Sequence, residues 1–167
     1  MKTKLIFNTL IIISMLMVTT GCNVSSTGNS LRGFTQRMNQ FPEEYNMTQT
    51  GYIEDAQNRT LTKFFELDTN KIMLQFEYGS NNELTCLHIV FDNNCKNNSK
   101  VMKFAKNCIE AFIENPETTK ELVNKIDLQK TITTTDYETK KAKSGDTELL
   151  LDTTAVGTVI SINRNMQ

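Results

Sequence analysis

The sequence has few of the residues that usually carry chemistry: its 167 residues include no tryptophan and one histidine, His88. No Cys-x-x-Cys or His-x-x-x-His spacing occurs, so Cys86 and His88 are too few to hold zinc. The chain also contains no glycine-rich phosphate loop and no nucleophile elbow. These absences predict no catalytic residue, no cofactor and no metal site, and therefore a protein that is not an enzyme.

Cys86 and His88 are the one cysteine and histidine that lie close together in the sequence. As residues i and i+2 of a predicted strand they share a face, where such neighbours are about 6–7 Å apart. Proton transfer to a nucleophile needs a separation of about 2.6–3.2 Å. Because the sequence also offers no third, orienting group, we predict no catalytic chemistry for this pair.

Charge argues against a nucleic-acid-binding protein. The formal net charge is −1, and the short basic runs lack an aromatic cluster, so we predict no nucleic-acid partner. Four acidic residues near the first predicted helix are Glu43, Glu44, Glu54 and Asp55. They lack the alternating pattern of a calcium loop and indicate a solvated acidic surface.

Three lysines precede Gly145, namely Lys140, Lys141 and Lys143. They fit either an anion site or a charged hairpin end that limits edge pairing.

The first 22 residues, in contrast, have a distinctive order. Lys2 and Lys4 precede an apolar run over residues 5–18, and small residues then lead to Cys22. The run is shorter than the about 20 residues that a membrane-spanning helix needs, and the two lysines favour the cytoplasmic side. This order resembles the signal peptide of bacterial lipoprotein precursors, although Thr19 stands where their cleavage pattern usually has leucine. A short membrane anchor and an ordinary secretory signal are the alternatives.

The resemblance implies that residues 1–21 are removed and that Cys22 becomes the lipid-bearing first residue. Residues 22–29 then form a flexible tether, and residues 30–167 form a single domain. The implied partner is a membrane, to which two or three acyl chains on Cys22 attach the protein almost permanently. The implied location is the cell envelope. Because Asn23 is not the aspartate that favours inner-membrane retention, the outer membrane is expected if the host has two membranes.

Hydrophobic periodicity predicts an α+β domain. Ser30 is expected to cap a first helix that Pro42 ends, Ser99 to open a second, and Asn115 to cap a third. The predicted strands cover residues 60–67, 71–78, 84–91, 131–137, 148–152 and 155–163, with an additional short strand considered at 51–55 and a hairpin turn at 143–146. The order α-β-β-β-α-α-β-β-β predicts an antiparallel sheet of about five or six strands covered on one face by helices.

Three cysteines remain once Cys22 is assigned to lipid, and an exported protein can form one disulfide among them. Helix and strand geometry favours the pair Cys95 and Cys108, with Cys86 and Cys108 as the alternative. The alternative requires that the strand face carrying Cys86 and His88 looks at the helix. A buried Cys108 that acts as a small apolar residue is the third interpretation.

The sequence therefore predicts a membrane-anchored cell-envelope lipoprotein whose domain is a non-enzymatic binding, inhibitory or assembly-accessory module. Its partner would be a protein or an envelope component, bound through an exposed apolar or charged patch. The alternative is a small-ligand-binding carrier or an envelope hydrolase. That alternative predicts a concave site of roughly several hundred Å³ with converging polar groups.

Overall fold

The computed structural model describes residues 30–92, 95, 98–133, 137–155 and 157–164. Its elements are α1 (Leu31–Met38), α2 (Phe41–Tyr45), β1 (Thr48–Asp55), β2 (Thr60–Leu67), β3 (Asn70–Tyr78), β4 (Leu84–Asp92), α3 (Ser99–Ile113), α4 (Pro116–Lys125), α5 (Leu128–Thr133), β5 (Thr139–Ser144), β6 (Thr147–Thr153) and β7 (Gly157–Arg164). The signal peptide and tether predicted for residues 1–29 lie outside the described residues. Across the described ranges, no helix is both long and apolar enough to cross a membrane.

The seven strands form one antiparallel sheet in the order β1-β2-β3-β4-β7-β6-β5. Strands β1 to β4 make one meander and β5 to β7 make a second. Helices α3 to α5 carry the chain from central β4 to the far edge, so that β7 returns beside β4. The predicted antiparallel α+β class is confirmed. The sheet is larger than expected, and the element order is α-α-β-β-β-β-α-α-α-β-β-β.

The helices pack on one face of this sheet. Side chains alternate between the two faces along each strand, so every second side chain points toward the helices. In β3, Ile72, Leu74 and Phe76 are each at most 2% exposed. Lys71 and Glu77, which point the other way, are exposed. Helix α3 presents an apolar stripe to the core, in which Val101, Phe104, Ala105, Cys108, Ile109, Ala111 and Phe112 are all buried. Each large apolar side chain buried here stabilises the fold by roughly 1.5–3 kcal/mol.

Two predicted helix starts are confirmed by their caps. The Ser30 hydroxyl accepts a hydrogen bond from the Gly33 N–H at 3.1 Å. At α4, the Asn115 side chain accepts from the N–H groups of Glu117 and Thr118, each at 3.0 Å. A proline follows directly at the first helical position, where its missing N–H removes no helical hydrogen bond.

The start of α1 is attached to the turn between β3 and β4. Ser30 forms an isolated β-bridge with Glu83, and the Leu31 N–H donates to the Asn82 carbonyl at 2.9 Å. The chain therefore enters the domain at this end of the sheet.

Two edge strands account for the larger sheet. Strand β1 extends beyond the predicted residues 51–55, and β5 was not predicted. An edge strand has one strand neighbour and need not bury apolar side chains, so both lack a clear apolar alternation: β1 has no buried residue, and β5 buries Ala142 alone. The predicted hairpin turn is confirmed between β5 and β6, where Gly145 adopts a φ of 59°.

Two predictions about helices are corrected. The strand predicted at 131–137 is wrong, because residues 131–133 end α5, 134–136 lie outside the described residues, and Tyr137 is not in a strand. Threonines favour strands, but Leu128, 3% exposed, anchors α5 in the core. Pro42 does not simply end a helix: α1 stops at Met38, and Pro42 lies in the first turn of α2.

Candidate functional site

The sheet face opposite the helices, here called the open face, carries the candidate sites. The register of neighbouring strands places its side chains in rows that cross the sheet. One row is apolar and consists of Phe64, Met73, Val90 and Val159, all half-buried. The adjacent rows are polar and contain Gln75, His88 and Ser161, followed by Glu77, Cys86 and Asn163.

The apolar row lines a groove with a volume of about 590 Å³. Its lining also includes the charged residues Glu66, Lys71 and Asp92. Gly157 contributes to the groove where β7 begins beside Asp92 of β4. The groove lies at the end of the sheet away from the β3–β4 turn, because it is built from the start of β3 and the end of β4.

A second feature, here called the polar cluster, consists of Glu77, Cys86, His88, Ser161 and Asn163. Glu77 faces Cys86 across the β3–β4 pair, and Cys86 and His88 face Asn163 and Ser161 on β7. The Cys86 Sγ and the His88 Nε2 are 3.2 Å apart. The same nitrogen is 3.7 Å from the Glu77 Oε1. Three potential metal-ligand atoms from two strands therefore converge at one point.

The two β7 residues complete the hydrogen bonding of the cluster. The Cys86 thiol donates to the Asn163 Oδ1 at 2.8 Å. The His88 Nδ1 lies 2.8 Å from the Ser161 Oγ. Because both partners lie within strand β7, the imidazole and the thiol are held by groups on the sheet backbone.

The ionisation of Cys86 argues against a nucleophilic role. Burial, together with the nearby Glu77 carboxylate, raises the pKa of Cys86 to about 12. The thiol is therefore protonated at neutral pH, whereas nucleophilic cysteines need a thiolate. The sequence-based separation of about 6–7 Å describes backbone spacing; it is wrong for the reacting atoms of Cys86 and His88, which lean together to 3.2 Å.

Sequence reasoning missed Glu77, Ser161 and Asn163 as neighbours of the Cys86 and His88 pair. Counting outward from the predicted β3–β4 turn would pair Glu77 with Thr85, because Tyr78 pairs with Leu84; a register shift between Glu77 and Tyr78 brings Glu77 opposite Cys86 instead. Nothing local identifies the β7 residues, which lie 73 and 77 positions away in the chain.

The three cysteines of the domain are free in the structure. The Cys86 side chain lies on the open face with Glu77, so the condition for its pairing with helix residue Cys108 is not met. The Cys95 thiol donates to the Asp92 carboxylate at 3.4 Å, and the Cys108 sulfur contacts the Met38 sulfur at 3.8 Å. A bridge between Cys95 and Cys108 stays a prediction for the exported protein.

The charged clusters noted in the sequence have local partners. Lys141 of edge strand β5 pairs with Glu148 at 2.8 Å, and Lys140 pairs with Glu138 at 3.3 Å. Lysines along an edge strand limit pairing with other chains.

The acidic residues are spread over two elements. Glu43 and Glu44 lie in α2, while Glu54 and Asp55 end β1. Glu44 pairs with Lys103 at 3.3 Å, and the Asp55 carboxylate accepts hydrogen bonds from Asn58. Hydrogen bonding to Asn58 also lowers the pKa of Asp55, which keeps this carboxylate ionised. These contacts fit the solvated surface that the sequence predicted.

No protein-family model, curated protein or solved structure matches the chain. The predicted lipid carrier, Cys22, lies outside the described residues. Functional inference therefore depends on the sequence of residues 1–22 and on the two features of the open face.

Proposed function

We propose that this protein is a lipoprotein of the bacterial cell envelope whose domain is a non-enzymatic binding module for another protein. Lipid on Cys22 anchors it, as the resemblance of residues 1–22 to lipoprotein signals suggests. The observation that carries the binding role is the open face. In the described part of the chain, the helices pack on the other face of the sheet and leave an apolar groove beside polar rows.

The size of the open face suits a protein partner. Seven strands about 4.8 Å apart, each roughly 25 Å long, present roughly 800 Å². One partner in a standard protein–protein interface contributes about the same area. The half-buried Phe64, Met73, Val90 and Val159 supply an apolar centre, and charged side chains such as Lys71 and Glu66 supply a polar rim.

The attachment of Ser30 at the β3–β4 turn orients this surface. A tether of residues 22–29 would hold that end of the sheet roughly 15 Å from the lipid on average. The groove lies at the other end of β3, so it would face away from the membrane surface. A partner could then reach the groove without contacting lipid headgroups.

Of the alternatives, a small-ligand carrier has one observation in its favour: the groove volume of about 590 Å³ falls in the range of ligand pockets, roughly 300–1,000 Å³. An envelope hydrolase is less well supported, because the raised pKa of Cys86 keeps the candidate nucleophile protonated.

Site-specific photocross-linking in the native envelope tests the binding role. A photoreactive residue replaces Lys71 on the groove lining, and the matched control replaces Lys120, an exposed lysine of α4. We expect one discrete protein adduct from position 71 and none from position 120. Equal adducts from both positions, or none from either, would contradict a protein-binding open face. A small molecule retained by the detergent-extracted protein in native mass spectrometry would favour the carrier.

A further inference from the structure

The polar cluster brings together three different metal-ligand types on the open face. Glu77, Cys86 and His88 place a carboxylate oxygen, a sulfur and an imidazole nitrogen within 4.8 Å of one another. We propose that these three residues bind one divalent transition-metal ion of the zinc class. The site needs no second protein, so its test is independent of the proposed binding module.

Two of the three separations between the ligand atoms are close to those of tetrahedral coordination, and the third is within 4.8 Å. Zinc lies about 2.3 Å from sulfur and about 2.0–2.2 Å from nitrogen or oxygen, so tetrahedral ligand atoms are about 3.3–3.6 Å apart. The Cys86 Sγ is 3.2 Å from the His88 Nε2, and that nitrogen is 3.7 Å from the Glu77 Oε1. Small side-chain adjustments therefore suffice to place one ion in contact with all three.

The residues around the three ligands support the same role. Metal binding at the His88 Nε2 requires the ring proton on Nδ1, and the Ser161 Oγ lies 2.8 Å from Nδ1, where it can accept that proton's hydrogen bond. Asn163, whose Oδ1 accepts from the Cys86 thiol at 2.8 Å, can turn its amide to donate to a metal-bound thiolate. The strands thus supply both the ligands and the groups that orient them.

The donor set selects the class of metal. Calcium and magnesium prefer oxygen ligands alone, whereas a thiolate, an imidazole and a carboxylate suit zinc and cobalt. On binding, the Cys86 thiol releases its proton to the solvent, and the sulfur coordinates as a thiolate. Three protein ligands leave a fourth tetrahedral position for water or an added ligand. Glu77, whose side chain is 48% exposed, leaves the cluster open to an entering ion.

Cobalt titration of the full chain, purified in detergent with a reductant, tests this site. We expect one equivalent of Co²⁺ to produce a sulfur-to-cobalt charge-transfer band that added Zn²⁺ removes. Cys86→Ser should abolish the band, whereas Cys95→Ser should retain it because Cys95 contacts Asp92 and not the imidazole. Ser161→Ala should keep the band with an about 10-fold weaker affinity, the effect of losing a group that orients a ligand.

A variant on the protein surface keeps the test informative if Cys86→Ser does not fold. Glu77→Gln removes an exposed ligand and should weaken Co²⁺ binding by at least about 10-fold. The matched control, Glu66→Gln, alters another exposed carboxylate of the open face and should leave the affinity unchanged. Absence of the band in the folded wild-type chain, or equal affinities for Glu77→Gln and Glu66→Gln, would overturn the proposal.

Discussion

The backbone of β7 at Gly157 approaches Phe91 of β4 so closely that a Cβ at position 157 would lie 2.5 Å from the Phe91 carbonyl oxygen. Because that oxygen belongs to a strand backbone, it cannot move aside like a flexible side chain. We expect Gly157→Ala to lower the free energy of unfolding by about 1–3 kcal/mol, as overpacking does. Urea unfolding of the two chains measures this difference.

Gly51 provides the control for this substitution. A Cβ there would meet Phe64 at 3.8 Å, an ordinary van der Waals contact. Gly51→Ala should therefore be neutral or stabilise by up to about 1 kcal/mol. Equal destabilisation by both substitutions would show that the β4–β7 approach is not as close as described.

The Asn115 cap should contribute measurably to stability. Its side chain accepts hydrogen bonds from two N–H groups at the start of α4, so Asn115→Ala is expected to lower the free energy of unfolding by about 1 kcal/mol. Asn124→Ala changes an exposed asparagine within the same helix and should stay within about 0.5 kcal/mol. A urea midpoint that is the same for both variants would argue against the cap.

A thiol count distinguishes the free cysteines from the predicted disulfide. Three reactive thiols in the Cys22→Ala chain, denatured without reductant after export, would match the free Cys86, Cys95 and Cys108 of the structure. In the native chain Cys95 and Cys108, which are both 0% exposed, should react more slowly than Cys86, which is 5% exposed. One thiol together with a cross-linked Cys95–Cys108 peptide would instead support the sequence-based pairing.

Stability should fall at alkaline pH, in part through Cys95. Burial, with a further effect of Asp92, raises the pKa of Cys95 to about 12, whereas an unfolded cysteine titrates near about 8.5. Between these pH values the folded protein keeps a proton that the unfolded chain has lost. The contribution is therefore complete below about pH 8.5 and decreases as the pH rises toward 12.

Comparison with Cys95→Ala isolates this contribution. Lysines and tyrosines titrate in both chains, so their effects cancel in the difference between the two unfolding free energies. We expect the wild type to lose stability more steeply than Cys95→Ala between about pH 8.5 and 10.5. Parallel pH profiles would contradict the raised pKa.

The elements that could be predicted from the sequence are those whose local period coincides with burial. Phe104 and Cys108 belong to the buried stripe of α3, and Ile72, Leu74 and Phe76 alternate along β3, so the local period and the burial agree in both elements. Strands β1 and β5 gave little signal because an edge strand need not bury side chains. The strand predicted at residues 131–133 was wrong because threonine favours strands. These residues belong to a helix in the structure, and its first residue, Leu128, is packed in the core.

The candidate sites were harder to predict than the fold, because they are formed by residues that lie far apart in the sequence. Cys86 and His88 were recognisable as a pair, but their relation to Ser161 and Asn163 comes from the β4–β7 register. The two strands are neighbours because α3 to α5 connect β4 to the edge strand β5, and the meander of β5, β6 and β7 then brings β7 beside β4. The groove likewise combines β2, β3, β4 and β7, so no single stretch of sequence contains it.

The central claim is that lipid on Cys22 holds this domain at a membrane. Mass spectrometry of the N-terminal peptide from protein extracted from its native envelope tests the claim most directly. The account predicts a peptide that begins at Cys22 and carries a diacylglyceryl group, and predicts that Cys22→Ala abolishes both the processing and the partition into detergent. An unmodified Cys22, or a chain that retains residues 1–21, would contradict it.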